Sequence, residues 1–296
     1  YASIVDDVEA FIDASETTLP RVVWANPIAA NCEMIAQRIR VLCPEAEPLP
    51  WRPFTWRLPP EAKPGYWTEH VVGAINVQEE AALLAGDLVG AQPGERILDM
   101  CAAPGGKTVQ IAVDMADQGT LVAMDRSMPR VAALRRTLER LGITCAVVHQ
   151  MDAIRQDVPD EHDLFDRILV DGPCTCEGTT RKNLGRRKPT ESGYRDTIVQ
   201  IQKALLRKAV RLAKPGGVIV YSTCTYAPEE NEGVLDALPE GSVKVEPIDI
   251  PEGLVVSPGV TEWEGRSYRS DVANAVRLWP HHNDTGGFFV ARLRRL

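Results

Sequence analysis

Three cysteines follow strand-like segments closely, at positions where a thiol can take part in chemistry. Cys174 and Cys176 lie in DGPCTCEGT, and Cys224 lies in YSTCT. A thiol at such a position is a buried apolar side chain, a metal ligand, half of a disulfide or a nucleophile. The chain has seven cysteines, an odd number scattered over 296 residues, which argues against a disulfide framework.

The spacing of these thiols disfavours a metal site. Zinc sites commonly use four ligands in paired C-x-x-C or histidine spacings, whereas C-T-C is a different spacing and the five histidines follow no pattern. We therefore predict that the chain binds no metal ion. What remains is a pair of thiols, Cys174 and Cys224, that two strands deliver to one edge of a sheet.

A glycine-rich turn in LDMCAAPGGKT joins a strand to a helix. Small residues at such a turn let the backbone approach a ligand with its amide groups, although a tight turn without a ligand is the alternative. A phosphate-binding loop would need glycine where Cys101 lies, and the dinucleotide pattern G-x-G-x-x-G is missing. Nucleoside triphosphates and NAD are therefore both disfavoured as ligands.

Two aspartates follow the next strands. Asp125 closes VAMD about 20 residues beyond the glycine turn, where a carboxylate can accept hydrogen bonds from both hydroxyls of a ribose. A solvated loop aspartate is the alternative. Asp152, in HQMDA, is a weaker candidate for contact with an adenine edge. The sequence thus favours a nucleoside ligand.

From residue 78 onwards, helix-like and strand-like segments alternate. Periodicity predicts helices in VQEEAALLAGDLVGAQPG, GKTVQIAVDMAD, MPRVAALRRTLERLG and residues 191–213, and strands in RILDM, TLVAMD, ITCAVVHQ, DRILVDGP and VIVYST. Such alternation predicts an α/β fold with a parallel sheet covered on both faces and a site at the carboxyl ends of its strands. The cysteines, the glycine turn and the aspartates all fall there.

The first 75 residues have a different composition. They hold four of the six tryptophans, RVVWAN predicts a short strand, and IAANCEMIAQRIRVL predicts a helix. The stretch PEAEPLPWRPFTWRLPPEAKPG is too rich in proline for regular structure and is predicted to be a linker. We predict a small α+β unit with this linker at residues 1–75 and a larger domain at residues 76–296.

The distribution of charge bears on the partner. A formal net charge of -8 disfavours a polyanion unless a local basic patch holds it. RKNLGRRKP, residues 181–189, supplies five basic residues for contact with phosphates, and Arg130, Arg135 and Arg136 are weaker candidates. No apolar run approaches the about 20 residues of a membrane helix, and the N-terminus is acidic, so we predict a cytoplasmic protein with no membrane partner.

Together these motifs resemble the Sun-type family of RNA cytosine-5 methyltransferases. The matching features, in the family's order, are MCAAPGGKT, MD at 124–125, DGPCT, RKN at 181–183, YSTCT followed by PEENE, and RLWPHHNDTGGFFVARL. They cover the chain from about residue 70 to its end, and RVVWAN through WRPF more loosely. The resemblance implies a Rossmann-like, S-adenosylmethionine-dependent methyltransferase sheet with a small N-terminal RRM-like unit. It also implies an RNA substrate, ribosomal RNA before transfer RNA.

The resemblance assigns roles to the site residues. C5 of cytosine is too weak a nucleophile to take a methyl group directly, so a thiolate first adds at C6. In the family that nucleophile corresponds to Cys224, and Cys174 assists release of the product. The residues implied for binding S-adenosylmethionine are Cys101, Ala102, Ala103, Pro104, Gly105, Gly106, Lys107, Asp125, Arg130, Asp152 and Asp171.

Two of these residues are implied in catalysis as well. Asp171 would address N3 of cytosine as a carboxyl that a water-poor pocket keeps protonated. Lys107 would lie near the thiols, where a cation lowers the pKa of a cysteine.

Alternatives remain open. The cysteine roles are exchanged if Pro173-Cys174 acts like the Pro-Cys motif of DNA cytosine methyltransferases. A non-catalytic RNA-binding or ribosome-assembly factor with this fold would bind RNA without either cysteine. Cys176, where the family usually has glycine, receives no role. His281 is a catalytic candidate only because it follows the family's R-x-x-P-H pattern, and the rest of PHHNDTGGFF predicts a final hairpin.

Overall fold

The chain forms a large mixed sheet and a smaller antiparallel sheet in its computed structural model, which describes residues 1–156, 164–182, 184 and 193–296. The strands are β1 (Arg21–Ala25), β2 (Glu47–Pro48), β3 (Thr55–Leu58), β4 (Ile75–Val77), β5 (Arg96–Asp99), β6 (Thr120–Asp125), β7 (Ala146–Gln150), β8 (Phe165–Asp171), β9 (Ala213–Thr223), β10 (Val243–Glu246), β11 (Ser257–Pro258), β12 (Glu262–Trp263), β13 (Arg266–Ser267), β14 (Val276–Leu278) and β15 (Phe288–Arg295).

The helices lie between these strands. They are α1 (Val8–Ser15), α2 (Cys32–Leu42), α3 (Thr68–Val71), α4 (Glu80–Val89), α5 (Gly106–Asp114), α6 (Met128–Arg140), α7 (Tyr194–Leu212), α8 (Glu232–Asp236) and α9 (Pro280–Asn283). Among the residues that the structure describes, none of the helices combines the length and the apolar composition needed to cross a membrane.

The large sheet reverses its strand order at the centre. Its order is β11-β14-β15-β9-β8-β5-β6-β7, and β10 also pairs with β15. Strands β9, β8, β5, β6 and β7 are parallel, whereas β15 is antiparallel to β9. The chain builds β5, β6 and β7 in one direction and then returns to add β8 and β9 on the other side of β5. Open α/β sheets bind ligands in the crevice at such a reversal.

Alternate residues of the central strands face two different apolar cores. In β5, Leu98 packs in one core with Leu205 of α7, and Ile97 packs in the other with Leu84 of α4 and Ile111 of α5. Each of these five side chains is at most 3% exposed. Helices cover both faces of the sheet, as the near-continuous apolar strands predicted.

The predicted elements of this domain are present, with shifted ends. Helix α4 ends at Val89 because Gly90 adopts a left-handed φ of 63°, so the helix stops before the predicted Pro93-Gly94. Helix α7 ends at Leu212, and the KPGG segment predicted to end it belongs to β9. The predicted final hairpin is β14 and β15, with α9 between them.

The proline-rich segment contains regular structure, contrary to the prediction of a linker. Thr55–Leu58 forms β3 and pairs with β1, so that Trp56 lies opposite Val23. The prolines flank this strand and do not interrupt it, so its backbone groups remain able to pair. The small sheet has the order β2-β3-β1-β4 and extends to Val77.

Hydrogen bonds and ring contacts join the N-terminal part to the large sheet. Asn26 Nδ2 donates to the carbonyl of Leu141 at 2.9 Å, and Arg140 of α6 donates to Asn76 Oδ1 at 2.8 Å. Helix α1 packs elsewhere, with a ring of Phe11 5.9 Å from that of Trp279. The division of the chain at residue 75 therefore stays a prediction.

Candidate active site

A cavity of about 850 Å³ opens at the carboxyl ends of the parallel strands. This volume falls within the roughly 300–1,000 Å³ of small-molecule sites. The predicted site residues that line it are Cys101, Ala103, Pro104, Asp125, Arg130, Asp152, Asp171, Cys174 and Cys224. Cys176 lines it as well.

Only part of the glycine turn, namely Cys101, Ala103 and Pro104, lines this cavity. Of the predicted residues, Ala102, Gly105, Gly106 and Lys107 do not line the cavity. Gly105 has a left-handed φ of 110°, and a Cβ there would lie 3.0 Å from Leu134 and 3.2 Å from Thr137 of α6. Glycine is therefore needed at position 105 for the turn and for packing against a helix, and the close approach of a ligand to this turn stays a prediction.

Asp99, which we did not single out from the sequence, fixes this turn. Its carboxylate is 1% exposed and accepts hydrogen bonds from Thr108 Oγ1 at 2.7 Å and from the Cys101 amide at 3.4 Å. Burial raises the pKa of Asp99 to about 7, against the opposing effect of the Thr108 bond. The available sequence signal was one acidic residue at the end of an apolar strand.

Asp99 is expected to make stability depend on pH. An acid whose pKa rises from 3.8 to about 7 on folding favours the fold below its unfolded pKa, and this contribution is lost as the pH rises towards 7. In urea unfolding at pH 5, 6 and 7, the stability of the unchanged protein relative to Asp99→Asn should fall by roughly 1.4 kcal/mol per pH unit. A constant difference across this range would contradict the shift.

Asp125 presents a carboxylate oxygen to the cavity. Its Oδ1 accepts a hydrogen bond from the Ser127 amide at 2.9 Å, and Arg130 Nη1 lies 3.1 Å from Oδ2. Within the described part of the chain, Oδ2 accepts no hydrogen bond. The carboxylate side chain is 2% exposed and that of Arg130 is 55% exposed. A buried acceptor with a half-exposed cation beside it fits a ribose hydroxyl.

Asp152 lies on the same side of the cavity, just beyond β7. Its Oδ1 accepts a hydrogen bond from the Ile154 amide at 2.9 Å, which shapes the loop. Its Oδ2 lies 3.9 Å from Arg155 Nε, and the side chain is 35% exposed. The carboxylate therefore keeps acceptor capacity for an amine such as that of adenine.

Asp171 and Lys107 form an ion pair at the centre of the site. Lys107 Nζ lies 2.7 Å from Asp171 Oδ2, and Ser222 Oγ donates to Oδ1 at 2.7 Å. Burial opposes the charge of Lys107, but Asp171 outweighs it and raises the lysine pKa. Asp171 is thus held on both carboxylate oxygens, by a cation and by a hydroxyl donor, and its role towards N3 of cytosine stays a prediction.

The strand register brings the cysteines together. Asp171 at the end of β8 lies opposite Ser222 of β9, so the residues that follow the two strands are neighbours. The sulfur of Cys174 lies 3.3 Å from that of Cys224 and 3.7 Å from that of Cys176. The prediction that two strands deliver these thiols to one edge is confirmed.

The three thiols do not ionise alike. A hydrogen bond with Cys174 lowers the pKa of Cys224, but the bond with Cys176 and desolvation outweigh it and raise that pKa to about 12. Bonds from Cys174 and Cys224 hold the pKa of Cys176 well below its usual range, aided by Lys182 and Arg130. The predicted lowering of the thiol pKa by Lys107 is therefore not the dominant effect at Cys224.

The PEENE segment clamps both cysteine loops. The buried Glu230 carboxylate accepts a hydrogen bond at 2.9 Å from the amide of Thr175, the residue after Cys174. Asn231 accepts from Thr223 Oγ1 at 2.6 Å and donates to the Thr225 carbonyl at 3.1 Å, on either side of Cys224. We missed these positioning roles, because sequence spacing does not reveal which loop a side chain will meet.

The basic segment at residues 181–189 falls mostly outside the described residues. Arg181 is described, and it is 1% exposed. It donates to the carbonyls of Thr17 at 3.1 Å and Thr285 at 2.8 Å and pairs with Asp284. Arg181 thus stabilises the fold and does not contact phosphate as predicted, whereas Lys182 is exposed.

His281 lies away from the cavity. His281 Nε2 contacts Asp6 Oδ1 at 2.9 Å, and His282 Nε2 contacts Asp6 Oδ2 at 2.8 Å. Both histidines therefore join α9 to the N-terminal segment. This position does not support the catalytic role for which His281 was a candidate.

Comparison with known proteins identifies relatives of the whole chain. The family described as 16S rRNA methyltransferase RsmB/F matches residues 87–294. A tRNA (cytosine(49)-C(5))-methyltransferase from Pyrococcus abyssi is 36% identical over 99% of this chain and 94% of its own length. A ribosomal RNA small subunit methyltransferase F from Erwinia tasmaniensis is 31% identical over 98% of this chain, which spans 60% of that relative.

Solved structures share the fold. A methyltransferase homolog protein from Pyrococcus horikoshii gives a TM-score of 0.84 at 30% identity, covering 97% of this chain and 90% of its own. NSun6 from Pyrococcus horikoshii, solved with SFG, gives 0.81 at 21% identity, covering 97% and 93%. The predicted α/β, Rossmann-like fold is confirmed.

Proposed function

This chain belongs to the RsmB/F methyltransferase family, and from that premise we propose that it transfers a methyl group from S-adenosylmethionine to C5 of a cytidine in RNA. One observation supports the proposal above all. The sulfurs of Cys174 and Cys224 lie 3.3 Å apart at the edge of a cavity whose other wall carries Asp125 and Asp152. Thiols that can react with a pyrimidine and carboxylates that can bind a nucleoside thus lie in one site.

The cavity wall suits the cofactor. Asp125 would accept hydrogen bonds from the ribose, Asp152 would accept one from the adenine amine, and the backbone from Cys101 to Pro104 would pack against the ligand. The bound cofactor supplies an electrophilic methyl group on a sulfonium. These residues bind and orient that group towards the cysteines.

The thiols would activate the cytosine ring. The Cys224 sulfur forms a bond to C6, which makes C5 nucleophilic enough to take the methyl group. The C5 proton then passes to water and the S–C6 bond breaks, with its electron pair leaving on the Cys224 sulfur, which restores the aromatic ring beside Cys174. Asp171, held by Lys107 and Ser222, lies where it can address the pyrimidine edge.

The thiol of Cys224 must lose its proton before it adds to the ring. A hydrogen bond with Cys174 lowers its pKa, but the bond with Cys176 and desolvation outweigh it and raise the pKa to about 12.

The proposal also concerns the kind of RNA that the protein methylates. The target base has to leave its stack to reach both thiols, so single-stranded or locally opened RNA is the expected substrate. Transfer RNA is the first substrate to test, because the relative that matches nearly the whole of both chains carries that name. The unit at residues 1–75 would contact RNA that flanks the target.

The test is transfer of radiolabelled methyl from S-adenosylmethionine to unmodified tRNA and ribosomal RNA transcripts, followed by digestion to nucleosides. The expected product is 5-methylcytidine in one of the two RNAs. Label in another nucleoside, or RNA binding without any label, would contradict the proposal.

Asp125→Asn is expected to weaken binding of S-adenosylmethionine about 10- to 100-fold. The asparagine amide keeps an acceptor for Ser127 but loses a charged acceptor, which is worth about 1.5–3 kcal/mol. Calorimetric titration would measure the affinity, with Asp13→Ala on the exposed face of α1 as the control. Equal affinity for the unchanged protein and Asp125→Asn would remove Asp125 from the cofactor site.

A further inference from the structure

Three sulfurs meet in this site, and the reaction proposed above uses only two. Cys176 lies 3.7 Å from Cys174, sulfur to sulfur, and all three sulfurs, including that of Cys224, lie within 4.8 Å of one another. Cys176 is exposed, whereas Cys174 is buried, so the cluster is open to solvent on one side.

The backbone explains why position 176 is unusual. Cys176 has a left-handed φ of 58°, which glycine adopts without strain and a cysteine rarely adopts. The resembled family usually has glycine at the position of Cys176. A cysteine that tolerates this strain adds a third thiol at the mouth of the cavity.

The sulfur geometry matches a soft metal ion. Zinc–sulfur bonds of about 2.3 Å at tetrahedral angles place neighbouring sulfurs about 3.8 Å apart. The separations of 3.7 Å and 3.3 Å require shifts of only tenths of an ångström to reach that distance, and the third separation, between Cys176 and Cys224, is within 4.8 Å. Three sulfur ligands leave the fourth position of the ion open towards the cavity.

The charge around the cluster suits such a complex. Three thiolates and one divalent cation carry a net charge of -1. The positive charges of Lys182 and Arg130 stabilise the Cys176 thiolate. Lys107 interacts favourably with a charged Cys224. Binding releases the protons that the thiols still carry to solvent, and no electron is transferred.

We propose that Cys174, Cys176 and Cys224 together bind one thiophilic divalent cation, Zn²⁺ in class, and that the bound cation blocks methyl transfer. The site combines ligands from the loops after β8 and β9, which the C-T-C spacing could not reveal. The block rests on the proposed function, because an occupied Cys224 cannot add to cytosine. Cation binding itself does not rest on it.

The test is a titration of the full chain, reduced with a phosphine and freed of metal, with Cd²⁺. Thiolate–Cd²⁺ bonds absorb in the ultraviolet, and Zn²⁺ should compete for the same site. We expect one cation per chain in the unchanged protein and in Cys32→Ser. In Cys176→Gly we expect binding at least about 100-fold weaker, since even loss of an outer-shell partner typically costs 10- to 100-fold.

Cys176→Gly and Cys32→Ser contain equal numbers of cysteines, so they separate the cluster from general thiol content. Equal Cd²⁺ affinity in Cys176→Gly and the unchanged protein, or equal loss in both variants, would overturn the proposal. Zn²⁺ should also stop methyl transfer by the unchanged protein and by Cys32→Ser, but not by Cys176→Gly. Cation binding without transfer by any protein would refute the proposed function and leave the metal site standing.

Discussion

Cys224→Ala is expected to abolish methyl transfer and the covalent protein–RNA adduct, whereas Cys174→Ala is expected to accumulate that adduct. Without the Cys224 sulfur nothing adds to C6, and loss of a nucleophile lowers turnover by at least about 1,000-fold. Without Cys174 the adduct forms and is released slowly, because the group beside the S–C6 bond is missing.

Denaturing gels of each protein with RNA and labelled S-adenosylmethionine measure both effects. Cys32→Ser, which lies far along the chain from the cluster, serves as the thiol control and should behave like the unchanged protein. An adduct in Cys224→Ala and none in Cys174→Ala would exchange the cysteine roles. RNA binding without transfer or adduct in every protein would favour the non-catalytic alternative.

Arg277→Met is expected to destabilise the fold by about 3–5 kcal/mol. Arg277 donates to Glu232 Oε1 at 2.7 Å and to the Tyr226 carbonyl at 2.9 Å, and the two charged side chains are at most 3% exposed. Removing the guanidinium leaves the Glu232 carboxylate buried without its counter-charge, which is far costlier than losing a surface pair. The change also loosens Tyr226, two residues beyond Cys224.

Urea unfolding monitored by circular dichroism measures this loss. Arg266→Met is the matched control, because its pair with Asp236 is 57% exposed on the arginine side and should contribute less than about 1 kcal/mol. Replacing Glu232 as well, in Arg277→Met/Glu232→Met, should recover part of the stability. Equal unfolding midpoints for Arg277→Met and Arg266→Met would show that burial does not strengthen this pair.

The sequence was sufficient to predict the order of elements and the edge of the sheet that carries the site. Strands of four to seven residues that bury apolar side chains on both faces are typical of a covered parallel sheet, so β5, β6 and β8 were readable. Once those strands are parallel, Cys101, Asp125 and Asp171 must share one edge. Proline misled the prediction at β3, because composition does not distinguish prolines that flank a strand from prolines that interrupt it.

The tertiary structure alone decided what each side chain meets at that edge. Arg181 was predicted to contact phosphate and is buried against backbone carbonyls. Glu230 and Asn231, which received no role from the sequence, hold the cysteine loops. Periodicity reports only which face of its own element a residue occupies. The register of β8 against β9, set by packing between distant segments, brings Cys224 to the loop that carries Cys174 and Cys176.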